Sequence, residues 1–371
     1  MKRSKSEIIF FKLVQSGLWG HRCQFNSLDE IDFSEVYRLA EEQAVVGLVA
    51  AGIDNIEGVR VPKKNVLPFI SKTIQLEQKN QAMNHFIGGL MEEMREAGIY
   101  ALLVKGQGIA QCYETPFWRS CGDVDFLLND QYYEKAKGYL IPLASKVDPE
   151  NLYEKHQGLS FDSWVVELHG NLYCGLSPRI EKGMEEVQKS IFSGGDVRSW
   201  TNENTEIFLP GPDSDVLIVF THILKHFYRG GIGLRQICDW VRLLWTYKRV
   251  IDLDLLERRL ADMGLLAEWK AFGAFAVDYL GMSTEVMPLY STEKRWKRKA
   301  TMICSFILQV GNFGGNRDLS YYKKYPFFIR KAISFGYRFG DLCRHALIFP
   351  NDSIRFFPSI VLNGFRSAIK G

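Results

Sequence analysis

Two carboxylates one residue apart, Asp123 and Asp125, stand at the head of the run DVDFLL, which ends at Leu128. Residues i and i+2 of an extended strand project from one face, so both acids can meet the same ion. Val124 then faces the other way, and the three apolar residues after Asp125 carry the strand into a core. Two acids beside buried hydrocarbon are costly unless a cation compensates them. The pattern reads as half of a magnesium site.

The chemistry that most needs such a site is attack on the α-phosphorus of a nucleoside triphosphate. It uses two hard cations held by oxygen, one activating the nucleophile and one on the leaving pyrophosphate. A D-x-D strand can bridge both ions, and a third carboxylate on a neighbouring strand completes the set. Glu167 is the candidate, because it is an acid embedded in an apolar strand-like run, WVVELH; the bland alternative is a surface acid on an edge strand. Glu167 would hold the catalytic ion and help deprotonate the acceptor. His169 follows by two and shares its face, where it could orient Glu167, contact a phosphate, or simply pack as a core histidine. Upstream, the apolar run 100–104 ends in Lys105-Gly106. Glycine lets a backbone approach an anion, and amides of a following short helix can point at it. Lys105 and Arg119 would neutralise phosphate oxygens. A solvated strand end for Lys105, and an ion pair from Arg119 to Asp123 or Glu114, are the competing readings.

The elements that must position these residues follow from periodicity and punctuation. Helices are expected over residues 34–49 and 65–97, the latter stopped by Gly98. Phe86, Leu90 and Met94 should form its apolar stripe. Strands are expected at 100–104, 123–128, 159–161 and 164–169, with a helix over 131–140 capped by Asp130. A helix over 178–191 and an edge strand over 206–209 precede the cluster Pro210-Gly211-Pro212, the best domain boundary. Beyond it the pattern is helical: 213–227, 234–247, 253–263, 265–280 and 292–310. No internal repeat is evident.

Length and composition narrow the classes. A chain of 371 residues with 46% apolar and 24% charged residues has the composition of a folded protein and is long enough for two or three domains, or for one with a helical extension. The net charge of +3 does not by itself imply nucleic-acid binding. Seven scattered cysteines without a C-x-x-C pair argue against a zinc ribbon and a disulfide framework, which makes the cytoplasm the default location. The start, MKRSKSEIIFFKLVQSG, reads as an amphipathic helix rather than a signal peptide. No stretch reaches the ~20 apolar residues of a transmembrane helix.

The motifs LLVKGQGIAQCYE, R-x-x-GDVDFLL and VELHGNLY, with GIGLRQICDWVRLL later, resemble the uncharacterised nucleotidyltransferase family of the polymerase-beta-like superfamily. The resemblance spans roughly residues 80 to 250 and is strongest at 102–128 and 165–173. It implies an α+β fold: a small mixed β-sheet nucleotidyltransferase core flanked by helices, with N-terminal helices and a C-terminal helical domain. The expected division, from the Gly98 stop and the Pro210-Gly211-Pro212 cluster, is 1–98, 99–211 and 212–371. It also implies Asp123, Asp125 and Glu167 as ligands of two Mg2+ ions, and Lys105-Gly106 as the nucleotide-side turn. The superfamily has Gly-Ser at that turn, where Lys-Gly stands here, and the third acid is Glu rather than Asp. The expected reaction moves an NMP from an NTP such as ATP to a small-molecule, protein or RNA acceptor, releasing pyrophosphate.

Other features leave room for rival functions. His222 and His226, four apart, share a helix face. That spacing can bind zinc, but no H-E-x-x-H pattern or third ligand accompanies it. A structural or substrate-cleft role is expected, with Arg235 and Asp239 also facing the cleft. The segment 321–371 carries nine Lys/Arg against two acids, interleaved with aromatics, so the rest of the chain is net negative. It could hold nucleic acid or an anionic membrane, or form a helical cap whose aromatics fill the core. Rival functions are a non-catalytic nucleotide-binding or assembly module, and a toxin-like transferase acting on tRNA or protein.

Overall fold

The structure, a computed structural model, describes residues 3–28, 31–58, 61–317 and 324–356. Helix α1 (Lys5–Trp19) opens on a capping box in which Ser4 and Glu7 satisfy each other's backbone amides. The helix expected over 34–49 is two, α2 (Phe33–Glu42) and α3 (Val46–Asp54). The break falls where Ala44 takes a φ of 56°. Beside it the buried Gln43 donates to Ile307 O (3.2 Å) and accepts from Leu234 N (3.0 Å), pulling the chain out of helix. Helix α4 (Lys63–Glu96) follows, with Met83, Ile87, Leu90 and Met94 buried. On the same helix, Ile70 and Ile74 face outward.

Strand β1 (Leu102–Val104) runs through the short α5 (Gly106–Ala110) to β2 (Val124–Leu127). Next come α6 (Asp130–Leu140), β3 (Lys146–Val147), β4 (His156–Phe161) and β5 (Trp164–His169). Asn129, not Asp130, caps α6 by accepting from Tyr132 N. The sheet order is β1-β2-β5-β4-β3, with β2 and β5 parallel and the other neighbours antiparallel. This is the small mixed sheet of an α+β protein. One face, with Leu103, Val124, Phe126, Val166 and Leu168, packs on α4 and on Tyr133 and Ala136 of α6. The opposite face sends Leu102, Val104 and Leu127 into a larger core shared with the helices at both ends of the chain.

Helix α7 (Pro178–Phe192) leads to a hairpin, β6 (Val197–Asn202) and β7 (Thr205–Pro210), so the edge strand expected at 206–209 has a partner. The chain then forms α8 (Pro212–Arg229), α9 (Leu234–Thr246), α10 (Leu253–Met263), α11 (Leu266–Leu280), α12 (Lys294–Val310) and α13 (Phe327–Ile348). Fully buried aromatics fix the crossings: Phe220 stacks on Trp240 (5.2 Å) and meets Trp269 edge-on (4.8 Å). Helix α1 docks on α11, with Gln15 donating to Tyr279 O at 2.9 Å. In the described part of the basic tail, His345, Phe349 and Phe356 are buried, and His345 packs on Phe227 and Phe306. Residues 318–323 and 357–371, which hold much of the expected basic-aromatic tail, lie outside the described residues. No described helix is long and apolar enough to cross a membrane.

One buried acid gives this core a pH dependence. Glu268 of α11 is fully buried, accepts one bond from Tyr228 (3.2 Å), and leaves Oε2 without a partner. Burial, then the charge of Asp352, pushes its carboxyl up to about 8. The folded state therefore keeps a proton that the unfolded chain releases above about pH 4.5. Stability from this group is complete below that pH and falls as pH rises towards 8, by about 1.4 kcal/mol per pH unit. Glu268→Gln should flatten this slope and raise the melting temperature at pH 8 more than at pH 5. Parallel melting curves at the two pH values would refute it.

Candidate active site

Asp125 and Glu167 are direct neighbours in register on the parallel strands β2 and β5, so their side chains rise from one face. Asp123 precedes β2 by one residue and shares that face. His169 lies two beyond Glu167, and His156 lies opposite His169 on β4. Alternation thus gathers three carboxylates and two imidazoles on the side of the sheet that the helical part covers. His156 is absent from the sequence expectation because β4 begins three residues before the run expected there. Only pairing with WVVELH would have revealed it.

Lys105 reaches the same face by a different device. Val104 is the register partner of Asp125, so straight continuation of β1 would send Lys105 to the opposite face. Instead Lys105 adopts a φ of 57° and Gly106 a φ of 42°. A Cβ on Gly106 would also sit 3.4 Å from Cys121 Sγ. The reversal swings the Lys105 ammonium onto Asp125 Oδ1, at 2.6 Å. Strain of this kind clusters at functional sites.

The charges form a connected chain. His169 Nε2 lies 2.8 Å from Asp125 Oδ1 and 3.5 Å from Glu167 Oε2, and His156 Nε2 lies 3.1 Å from that same Glu167 oxygen. Burial works against ionised Asp125, yet Lys105 and His169 hold its carboxyl below the usual range. Burial likewise opposes ionised Glu167, and its bonds to His156 and His169 drive it far down. Asp123 differs. The charge of Asp125, then burial, pushes its carboxyl up, and no described residue hydrogen-bonds to it. The donor set is therefore short of positive charge at Asp123, and its oxygens fit a hard divalent cation. His156, Glu167 and His169 also place one ligand atom each within 4.8 Å of one another.

A cavity of about 510 Å³ opens over these residues, lined by all seven expected positions: Lys105, Gly106, Arg119, Asp123, Asp125, Glu167 and His169. Its other wall comes from α8 and α9, through His222, Lys225, His226, Arg235 and Asp239, with Phe313 beyond them. Arg119 meets neither Asp123 nor Glu114. Its guanidinium grips Asp239 in a fork, Nε to Oδ1 at 2.8 Å and Nη2 to Oδ2 at 2.7 Å, with both side chains buried. Tyr113 donates to the same carboxylate at 2.8 Å. The loop around Arg119 is pinned from α4, since Asn80 Nδ2 donates to the carbonyls of Phe117 and Arg119 at 2.7 Å. His222 and His226 stand with ring centres 4.4 Å apart, and burial lowers the proton affinity of both, His226 to about 3.

No curated protein matches the chain. The crystal structure of an antigenic nucleotidyltransferase-like protein from Paracoccidioides brasiliensis is similar at 12% identity, covering 48% of this chain and 86% of that one. The TM-score is 0.32, an overlap too loose to define the fold. The uncharacterised nucleotidyltransferase family matches residues 29–281, well over half of the chain. That span takes in the acidic strands, the Lys105-Gly106 reversal and the two helices that close the cavity. On that match, the chain belongs to the uncharacterised nucleotidyltransferase family.

Proposed function

We propose that this enzyme is a magnesium-dependent nucleotidyltransferase that moves a nucleoside monophosphate from an NTP to an acceptor hydroxyl or similar nucleophile, releasing pyrophosphate. The observation that carries the reading is the placement of Asp125 level with Glu167 on adjacent parallel strands, with Asp123 on the same face. Asp123, Asp125 and Glu167 would hold two magnesium ions, which when bound neutralise the triphosphate and make the acceptor more nucleophilic. Glu167, kept ionised by two imidazoles, serves as a ligand and is a weak base. His169 orients Asp125 and Glu167 together. Lys105 supplies the fixed cation for the phosphates, and Gly106 lets the backbone turn beside them. Arg119 holds the loop that carries Cys121 and Asp123 by its grip on Asp239. In this reading residues 99–211 are the catalytic core, and α8 and α9 of the following helical part close the cavity over it.

The test is a label-transfer assay with magnesium and the four NTPs, labelled in parallel at the α- and γ-phosphates. The α-label should pass to an acceptor, in a cell extract or to the protein itself, while the γ-label leaves as pyrophosphate. Transfer of the γ-label instead would make the enzyme a kinase. No transfer of either label would sink the catalytic reading.

A further inference from the structure

Phe313 is among the cavity residues to which the proposed function gives no role. Phe313 is 54% exposed, yet its ring borders the cavity and meets the His226 ring edge-on at 4.8 Å. It lies in the segment Gly311-Asn312-Phe313-Gly314-Gly315, whose other members tolerate a left-handed backbone. Phe313 itself takes that conformation, with φ 52° and ψ 27°, which bulky residues rarely adopt. A glycine or asparagine would be cheaper at this position.

The rest of the structure enforces that conformation. Gly314 N donates to Gly311 O, and Gly315 N donates to Asn312 O, closing the turn. Gln236 of α9 donates to Asn312 Oδ1 at 3.1 Å. Two glycines before α9 let the turn approach: a Cβ at Gly231 would lie 2.5 Å from Val310 Cγ1, and one at Gly233 would lie 2.8 Å from Asn312 Cβ. The fold thus holds a strained turn that sets an aromatic ring at the cavity's edge.

We propose that Phe313 is the platform on which the nucleobase of the NTP stacks; this rests on the transferase reading above. From Lys105 the wall runs through His222 and His226, whose rings are 4.4 Å apart, and on to Phe313. With phosphates at Lys105, this wall is open to the base end of the same molecule. Half-buried neutral imidazoles do not oppose an uncharged base, and a cavity of this volume takes a molecule of nucleotide size. Stacking on an aromatic ring tolerates any base, because each has a π-face.

The experiment measures binding of the α,β-methylene analogues of ATP, GTP, CTP and UTP with magnesium, alongside inorganic tripolyphosphate. Phe313→Ala should weaken the preferred nucleotide by roughly tenfold, within the range of base–aromatic stacking. Tripolyphosphate affinity should not change, and Phe313→Trp should restore the nucleotide. Equal nucleotide affinity in wild type and Phe313→Ala would overturn the platform and leave the transferase reading intact. So would a matching loss of tripolyphosphate, which would show a structural role. Failure of the wild type to bind any triphosphate would overturn both.

Discussion

Asp123→Asn is expected to cut magnesium-dependent pyrophosphate release by roughly a thousandfold or more, the scale of removing a ligand from a catalytic ion. The metal-free protein should remain at least as heat-stable as the wild type. The two halves of this expectation have one cause. Asp123 is held beside ionised Asp125 with no hydrogen bond from a described residue, and its carboxyl is pushed up accordingly. Its charged form therefore destabilises the empty protein at neutral pH. Asparagine keeps the shape and removes the repulsion. Asp125→Asn would be a poorer probe, since it strands the Lys105 ammonium that bonds to Asp125 at 2.6 Å. The measurement pairs a pyrophosphate assay with melting curves in the presence and absence of magnesium. Magnesium should raise the wild-type melting temperature by preferential binding to the folded state, and should leave the variant's unmoved. Equal rates, or an equal magnesium shift, would show that Asp123 is not a ligand.

The legible part of this site was the part written in local pattern. A D-x-D at the head of an apolar run and an E-x-H in another both announce acids on one face of a strand. What the pattern could not reveal was their register, because the parallel pairing of β2 with β5 joins residues about forty apart. His156 was hidden for a related reason: its strand begins in polar residues that resemble a turn. Arg119 shows the opposite limit. Its type suits a phosphate, but its partner Asp239 lies 120 residues downstream. Phe313 carries no sequence signal beyond sitting among glycines, since its role depends on a turn closed by α9. The α2–α3 break likewise depends on Gln43 reaching Leu234 and Ile307. Helices with strong apolar periodicity, such as 253–263, matched their expected bounds because burial of one stripe was sufficient to define them.

Replacing Asp239 by asparagine should cost roughly 3–5 kcal/mol of stability, the range for stranding one member of a buried ion pair. Arg119 and Asp239 side chains are only 5% and 7% exposed, so solvent does little to screen the loss. Asparagine can accept one bond from the fork but carries no charge to offset the guanidinium, and Tyr113 must compete for the same oxygen. Urea unfolding at neutral pH measures this directly, and a loss under 1 kcal/mol would refute it. Pairing Arg119→Met with Asp239→Leu should recover most of the loss, because apolar replacements remove both charges together. The same pair decides what Arg119 does for catalysis. If it positions the loop that carries Asp123, Arg119→Lys will lower stability while changing NTP affinity by less than about threefold, since lysine cannot reproduce the fork. A large loss of NTP affinity at unchanged stability would instead place Arg119 on the phosphates. The buried fork to Asp239 favours the first outcome, because a guanidinium with two carboxylate bonds has few donors left to offer.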